Sequence, residues 1–186
     1  DNYSTFTGRS VAARTSQGRC TFALYEGTSD YGELVICDGV NEPFLFQMTG
    51  TGVLTDRTFF AKEITVSGTT GPAFGVIHDK HLVVAGASTA KNTIFYSGTN
   101  DIDSFSSTGS GSVIIQDAVV GLASFRSDLI IFCKNSIHKL VNINNSSTVA
   151  VVPITTNVGC VNGGSIQEVG GLSLIHISEP TRLRTI

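Results

Sequence analysis

Sets of four short apolar runs recur along this chain about every 45 to 54 residues. The plainest set begins at Val119 to Phe125 (VVGLASF), turns at Arg126-Ser127-Asp128, and resumes at Leu129 to Cys133 (LIIFC). A tight connection at Lys134-Asn135-Ser136 leads into Ile137 to Val141. A polar loop from Asn142 to Ser147 then precedes Thr148 to Pro153. Runs this short, rich in Val, Ile, Leu and Phe and bounded by Asn, Ser, Asp and Gly, predict strands joined by hairpins. No segment sustains a helical period long enough to compete.

The preceding set has the same order: Ala73 to Ile77, a turn at His78-Asp79-Lys80, His81 to Ala85, a loop from Gly86 to Ala90, Asn92 to Ser97, and Ser112 to Gln116. A weaker set starts near Cys20 and continues through Glu33 to Cys37, Pro43 to Gln47 and Phe59 to Val66. A fourth begins at Ser165. The fold class expected is all-β, a partial β-propeller of roughly three four-stranded blades plus the start of another. Its divisions are an N-terminal segment over 1–19, blades over 20–66, 73–117 and 119–153, and a truncated blade over 165–171. A blade cannot bury its faces alone, so the pattern implies a larger ring.

Composition agrees. Charged residues are only 15% of the chain against 41% hydrophobic, and 20 Gly stand beside 4 Pro, which suits short strands and tight turns better than salt-bridged helices. A net charge of −3 argues against a protein that grips phosphate, which needs clustered Lys and Arg. No apolar stretch reaches the roughly 18 residues of a membrane-spanning helix. No signal peptide is visible, and Asp1 stands where an initiating Met would, so the natural N-terminus is expected upstream.

Sites of chemistry are hard to find. The four cysteines (Cys20, Cys37, Cys133, Cys160) form no C-x-x-C pair, and Cys133 sits in an apolar run as a small hydrophobe would. His78 and His81 flank a turn and could share a metal only with a third ligand, for which Asp79 alone is near. Asp38-Gly39-Val40-Asn41-Glu42-Pro43 reads as a turn. Ser97 to Asp103 offers oxygens to a hard cation but lacks the spacing of an EF-hand loop, so a solvated connection is expected. Sequons stand at Asn2, Asn144 and Asn145. There is no G-x-S-x-G elbow, no H-E-x-x-H helix motif and no phosphate-binding Gly-Lys-Ser/Thr loop. Scattered carboxylates give no glycosidase pair, and zero Trp weighs modestly against sugar stacking. No catalytic residue, cofactor or metal is expected, and an enzyme is not.

Several motifs resemble the packaged-DNA stabilisation and tail-nozzle proteins of short-tailed bacteriophages. The blade motif stands here as Leu122, Phe125, Leu129, Ile130, Phe132, Ser136 and Ile137, followed by a Gly159-Cys160-Val161 step leading to Ser165. Upstream, Phe95 to Asp101 with Phe105 is similar to an S-x-x-x-D-x-x-x-F element, and Asp38 to Pro43 is similar to a D-G-x-N-x-P turn of phage tail proteins. The likeness covers about residues 33 to 171, and departs at Ile102, where those families often have Pro. It implies a head-to-tail connector in the virion, at the head–tail junction or in the tail, assembled in the host cytoplasm. The implied partners are its own copies in a ring, typically a hexamer, portal or adaptor proteins, other tail proteins, and DNA that passes through without specific binding. No membrane partner is implied. The alternatives are a propeller-type carbohydrate- or ligand-binding adhesion module, and an enzyme whose catalytic residues lie in further blades.

The last stretch differs in character. Leu172 to Arg182 resembles the in-frame translation of a transposon adapter used in sequencing libraries, which marks 172–186 as a non-native tail outside the fold. The competing reading makes Leu172 to Ile177 a true strand, placed where the repeat needs one.

Overall fold

The structure, a computed structural model, describes residues 19–27, 32–49, 58–169 and 172–175. Within them the chain forms three four-stranded antiparallel sheets, each a meander in strict chain order. The first contains β1 (Thr21–Tyr25), β2 (Glu33–Cys37), β3 (Phe44–Thr49) and β4 (Thr58–Glu63). The second contains β5 (Phe74–His78), β6 (His81–Ala87), β7 (Ala90–Tyr96) and β8 (Gly111–Ile114). The third contains β9 (Val119–Phe125), β10 (Asp128–Cys133), β11 (Ile137–Val141) and β12 (Ala150–Thr155). A two-stranded hairpin follows, β13 (Ile166–Val169) with β14 (Leu172–Ile175). The one helical turn among the described residues is a 3-10 turn at Gly163–Ser165. The first strands of successive units lie side by side: β1 packs on β5, β5 on β9, and β9 on β13. The protein is therefore all-β, with its sheets in a partial propeller-like arrangement.

Turn chemistry fixes the registers. Asp79 and Lys80 both hold positive φ, 49° and 68°, as a two-residue type I′ hairpin turn requires, and His78 pairs with His81. Arg126 (φ 54°) and Ser127 make another two-residue turn, with positive φ at its first residue only, so Asp128 pairs with Phe125 and joins the strand instead of the expected three-residue turn. The expected loop from Gly86 to Ala90 is shorter still. Gly86, at φ 78°, lets β6 bulge and run on to Ala87, which pairs with Ala90 across Ser88 and Thr89. The last strand of the third sheet starts later than expected, because the Thr148 and Val149 amides both donate to the Asn145 carbonyl as a turn. It then passes through Pro153, which an edge strand tolerates because, among the described residues, no further strand needs its missing N–H.

Counting from each first hairpin aligns the three sheets. Glu33, His81 and Asp128 are the closing residues. Immediately after them come Leu34-Val35-Ile36, Leu82-Val83-Val84 and Leu129-Ile130-Ile131. Leu82 and Val84 pack with Ala23, Tyr25, Val35 and Leu45 of the first sheet. Leu129 and Ile131 pack with Val83, Ala85, Ile94 and Tyr96 of the second. Each sheet thus receives its predecessor on the same alternate positions, and those four residues are all 0% exposed. Beyond the third sheet, Phe132, Ile137 and Cys160 form a smaller core with Val120, Ala123, Ile130 and Ile166.

Leu172–Ile175 pairs antiparallel with Ile166–Val169. The competing strand reading of this stretch is met over four residues, and 176–186 lie outside the described residues. The pairing speaks to physics rather than to origin, since an apolar Leu-Ser-Leu-Ile will add to whatever open strand edge is adjacent.

Candidate functional site

The first strands of the three sheets, with the segment leading into β13, wall an open groove of about 930 Å³. Alternation in β1 sends Ala23 and Tyr25 into the core and leaves Phe22 and Leu24 outward. The other walls are formed by Phe74 to Ile77, Val120 to Ser124, and Val161 to Gly164 with Ile166. Thr21 ties two walls together: its hydroxyl donates to the Ala73 carbonyl (3.0 Å) and accepts from the Gly75 amide (3.2 Å). At the far side the Arg19 guanidinium lies directly against Gly164. Among the described residues, Arg19 and Asp38 are the only Lys, Arg, Asp or Glu in the groove's lining. Asp38 is buried and occupied, its carboxylate accepting from the Val40 and Asn41 amides and the Asn41 side chain. The groove can hold a chain or ligand by shape and apolar contact. Among the described residues it offers no acid–base pair.

The polar clusters picked out in the sequence are placed as follows. Asp38 to Pro43 is a turn that the Asp38 carboxylate closes, with Gly39 at φ 78° bonded to the Pro72 carbonyl. Burial raises the Glu42 pKa, opposed by the Val66 amide and reinforced by Glu63. The loop after Ser97 does connect strands, but it is anchored where a solvated one was expected. Ile102 and Phe105 are buried in the core between the first two sheets, Asn100 accepts from the Tyr25 hydroxyl (3.2 Å), and Asp103 pairs with Lys62. Its two apolar residues were the signal that the Ser, Gly and Asp around them obscured.

His78 and His81 tie sheets together. His78 Nδ1 is 2.8 Å from the Ser124 hydroxyl of β9. His81 Nδ1 donates to the Ser97 carbonyl (2.6 Å), while its Nε2 lies 3.0 Å from Asn144 Oδ1 and 3.2 Å from the Thr99 hydroxyl. Asn144 in turn donates to Asp79, which occupies the side chain of that sequon. Asn145 caps its own turn through Ser147, and Asn2 lies outside the described residues. Among the described residues no three His, Cys, Asp or Glu side chains stand together as metal ligands. All four cysteines are free thiols. Cys133 is fully buried, and burial, reinforced by Asp117 and opposed by Ser136, pushes its thiol up to about 11. It is therefore a core residue with little thiolate character.

One polar clamp escaped the sequence reading. Asp117, in the link between the second and third sheets, accepts from the Ala118 amide (2.8 Å), the Asn135 amide (2.6 Å) and the Ser136 hydroxyl (3.0 Å). Burial pushes its carboxyl up, but these bonds together outweigh that and hold it below its ordinary value. Nothing in a lone Asp after Gln116 announces this, because its partners lie 18 and 19 residues away.

The buried His78 gives a pH prediction. Desolvation lowers its pKa, opposed by Asp79 and Asp128 and aided by His81. The unfolded chain therefore takes up the proton first as pH falls below the ordinary 6.5. Stability should be full above that value and decline toward the lower folded value. His78→Gln should flatten that part of the profile in urea melts taken across this range. A profile unchanged by the substitution would contradict the assignment.

No family model matches the chain, and neither a curated protein nor a solved structure resembles it significantly.

Proposed function

We propose that this chain is a structural virion protein, acting in head completion, retention of packaged DNA and tail attachment in a short-tailed phage. The observation that carries the reading is the groove along the first strands, walled by apolar and small side chains with almost no charge. DNA must slide through a connector, so a wall that does not bind phosphate suits the task, as does the chain's net charge of −3. The motif resemblances between residues 33 and 171 point the same way. The test is the coding neighbourhood, read across the locus from within the stretch that encodes Ser112 to Gly171. Portal and terminase genes alongside, with further strand repeats in frame, support the connector. Metabolic or surface-protein genes there refute it.

A second reading, a carbohydrate- or ligand-binding module, draws on the size of the groove, which lies in the range of ligand clefts. It predicts saturable binding to a glycan array that Phe22→Ser weakens, whereas the connector reading predicts none.

A further inference from the structure

Five residues that line the groove carry polar side chains: Arg19, Thr21, Asp38, Ser124 and Asn162. Four of them are engaged through oxygen. Thr21 bridges Ala73 and Gly75, Asp38 closes its own turn, the Ser124 hydroxyl meets His78 Nδ1, and Asn162 Oδ1 accepts from the Gly164 amide at 2.9 Å. Arg19 is different. Its guanidinium lies against Gly164, where no side chain stands in its way, and it has no hydrogen bond or ion pair among the described residues. Much of the wall is apolar and open to water: Phe22, Leu24 and Val161 are 64%, 59% and 85% exposed. One uncompensated cation beside a wet apolar trough selects an occupant with one negative charge and a hydrocarbon body.

We infer that the groove binds a monocarboxylate with a long hydrocarbon chain, a fatty acid, whose carboxylate sits on Arg19. The inference rests on the ligand-binding reading of the groove and names the class of ligand. A planar guanidinium can donate two parallel bonds to a carboxylate. A doubly charged phosphate head would bring in an unmatched charge, because no second cation lines the groove among the described residues. A sugar needs several free partners for its hydroxyls, and the oxygens of the other four polar side chains are taken. An added peptide strand needs open backbone edges. Here β1 packs on β5 and β5 on β9, and the Thr21 hydroxyl already fills the bonding positions at Ala73 and Gly75. A hydrocarbon chain asks for none of these partners. It covers Phe22, Leu24 and Val161, and the volume of about 930 Å³ lies within the roughly 300–1,000 Å³ of small-molecule sites.

Calorimetric titration of the 186-residue chain at neutral pH with decanoate, and with 1-decanol as its uncharged match, is the test. Decanoate should saturate at one site per chain, and decanol should bind about tenfold more weakly or worse, as loss of a charged hydrogen-bonded pair implies. In Arg19→Gln the two should bind alike, at the affinity decanol has for the parent. Val161→Asp, a change at an exposed position that spares the core, should weaken both. Ile114→Ser, at a likewise exposed apolar residue outside the groove, should weaken neither. Decanol that matches decanoate on the parent overturns the proposal, and that comparison needs no variant to fold. An Ile114→Ser chain that loses as much as Val161→Asp marks surfactant-like sticking and overturns it as well. So does a parent that binds no decanoate, whether the groove stays empty or another segment fills it. The glycan array then separates the two levels. Saturable glycan binding without decanoate binding keeps the ligand-binding reading and refutes the fatty acid, whereas silence in both assays removes both.

Discussion

Leu129→Ala should cost about 3 kcal/mol and lower the melting temperature by roughly 10 °C, whereas Leu34→Ala should cost about 1 kcal/mol or less. The two leucines sit at the same place in their sheets, one residue past the closing pair of the first hairpin. They differ in what covers them. Leu129 is fully buried among Val83, Ile94 and Tyr96 of the preceding sheet, so truncation leaves a cavity that close-packed neighbours cannot collapse. Leu34 gives up fewer contacts, because its outer side already meets water. Leu82→Ala, at the same position in the second sheet and likewise 0% exposed, should follow Leu129. Urea unfolding of the three variants at low protein concentration measures this. Equal costs at all three positions would mean that Leu34 is covered as fully as its two counterparts.

The sheets were legible in the sequence because period-two burial and turn residues are local properties. Glu33 to Cys37, Val119 to Phe125 and Ile137 to Val141 were readable to the residue, each being an apolar run closed by residues that leave the strand. Boundaries slipped where the local signal was ambiguous. Gly86 read as a loop start but is a bulge, and Pro153 read as a strand end but lies inside an edge strand. What pattern alone could not supply was everything set by contact between sheets. Ser124 as a partner of His78, Asp117 as a clamp on Ser136, and Ile102 as a core residue all depend on which chain segments meet. The groove was illegible for the same reason, since its walls come from strands about fifty residues apart. Its sparse charge was readable in advance only as an average over the whole chain.

The Gly159-Cys160-Val161 step offers the second large effect, and it turns on a backbone contact. Gly159 lies against the turn between β10 and β11 so closely that an added Cβ would overlap the Lys134 carbonyl and crowd the Asn135 amide. Both obstacles are main chain, and that turn is itself held by Asp117, so neither can swing aside. The next residue completes the docking: the Cys160 amide donates to the Cys133 carbonyl at 2.8 Å. Together they bury Cys160 against Phe132 and Ile137 and bring Ile166 onto the third sheet. Ordinarily a Gly→Ala change in a loop is neutral or stabilising, because it restricts the unfolded chain. Here even Gly159→Ala should cost about 3 kcal/mol, and Gly159→Val at least as much, since the first added carbon already meets the obstruction. The segment should release from the third sheet before the rest unfolds, because its own core is small. Thiol labelling reports this directly. Cys160, buried in the parent, should become reactive in the variant under native conditions, while Cys133 stays protected and the half-buried Cys20 serves as an internal reference. A Gly159→Ala protein with the parent's melting temperature and a protected Cys160 would show that the step can open without loss. The close approach would then be incidental to how this segment docks.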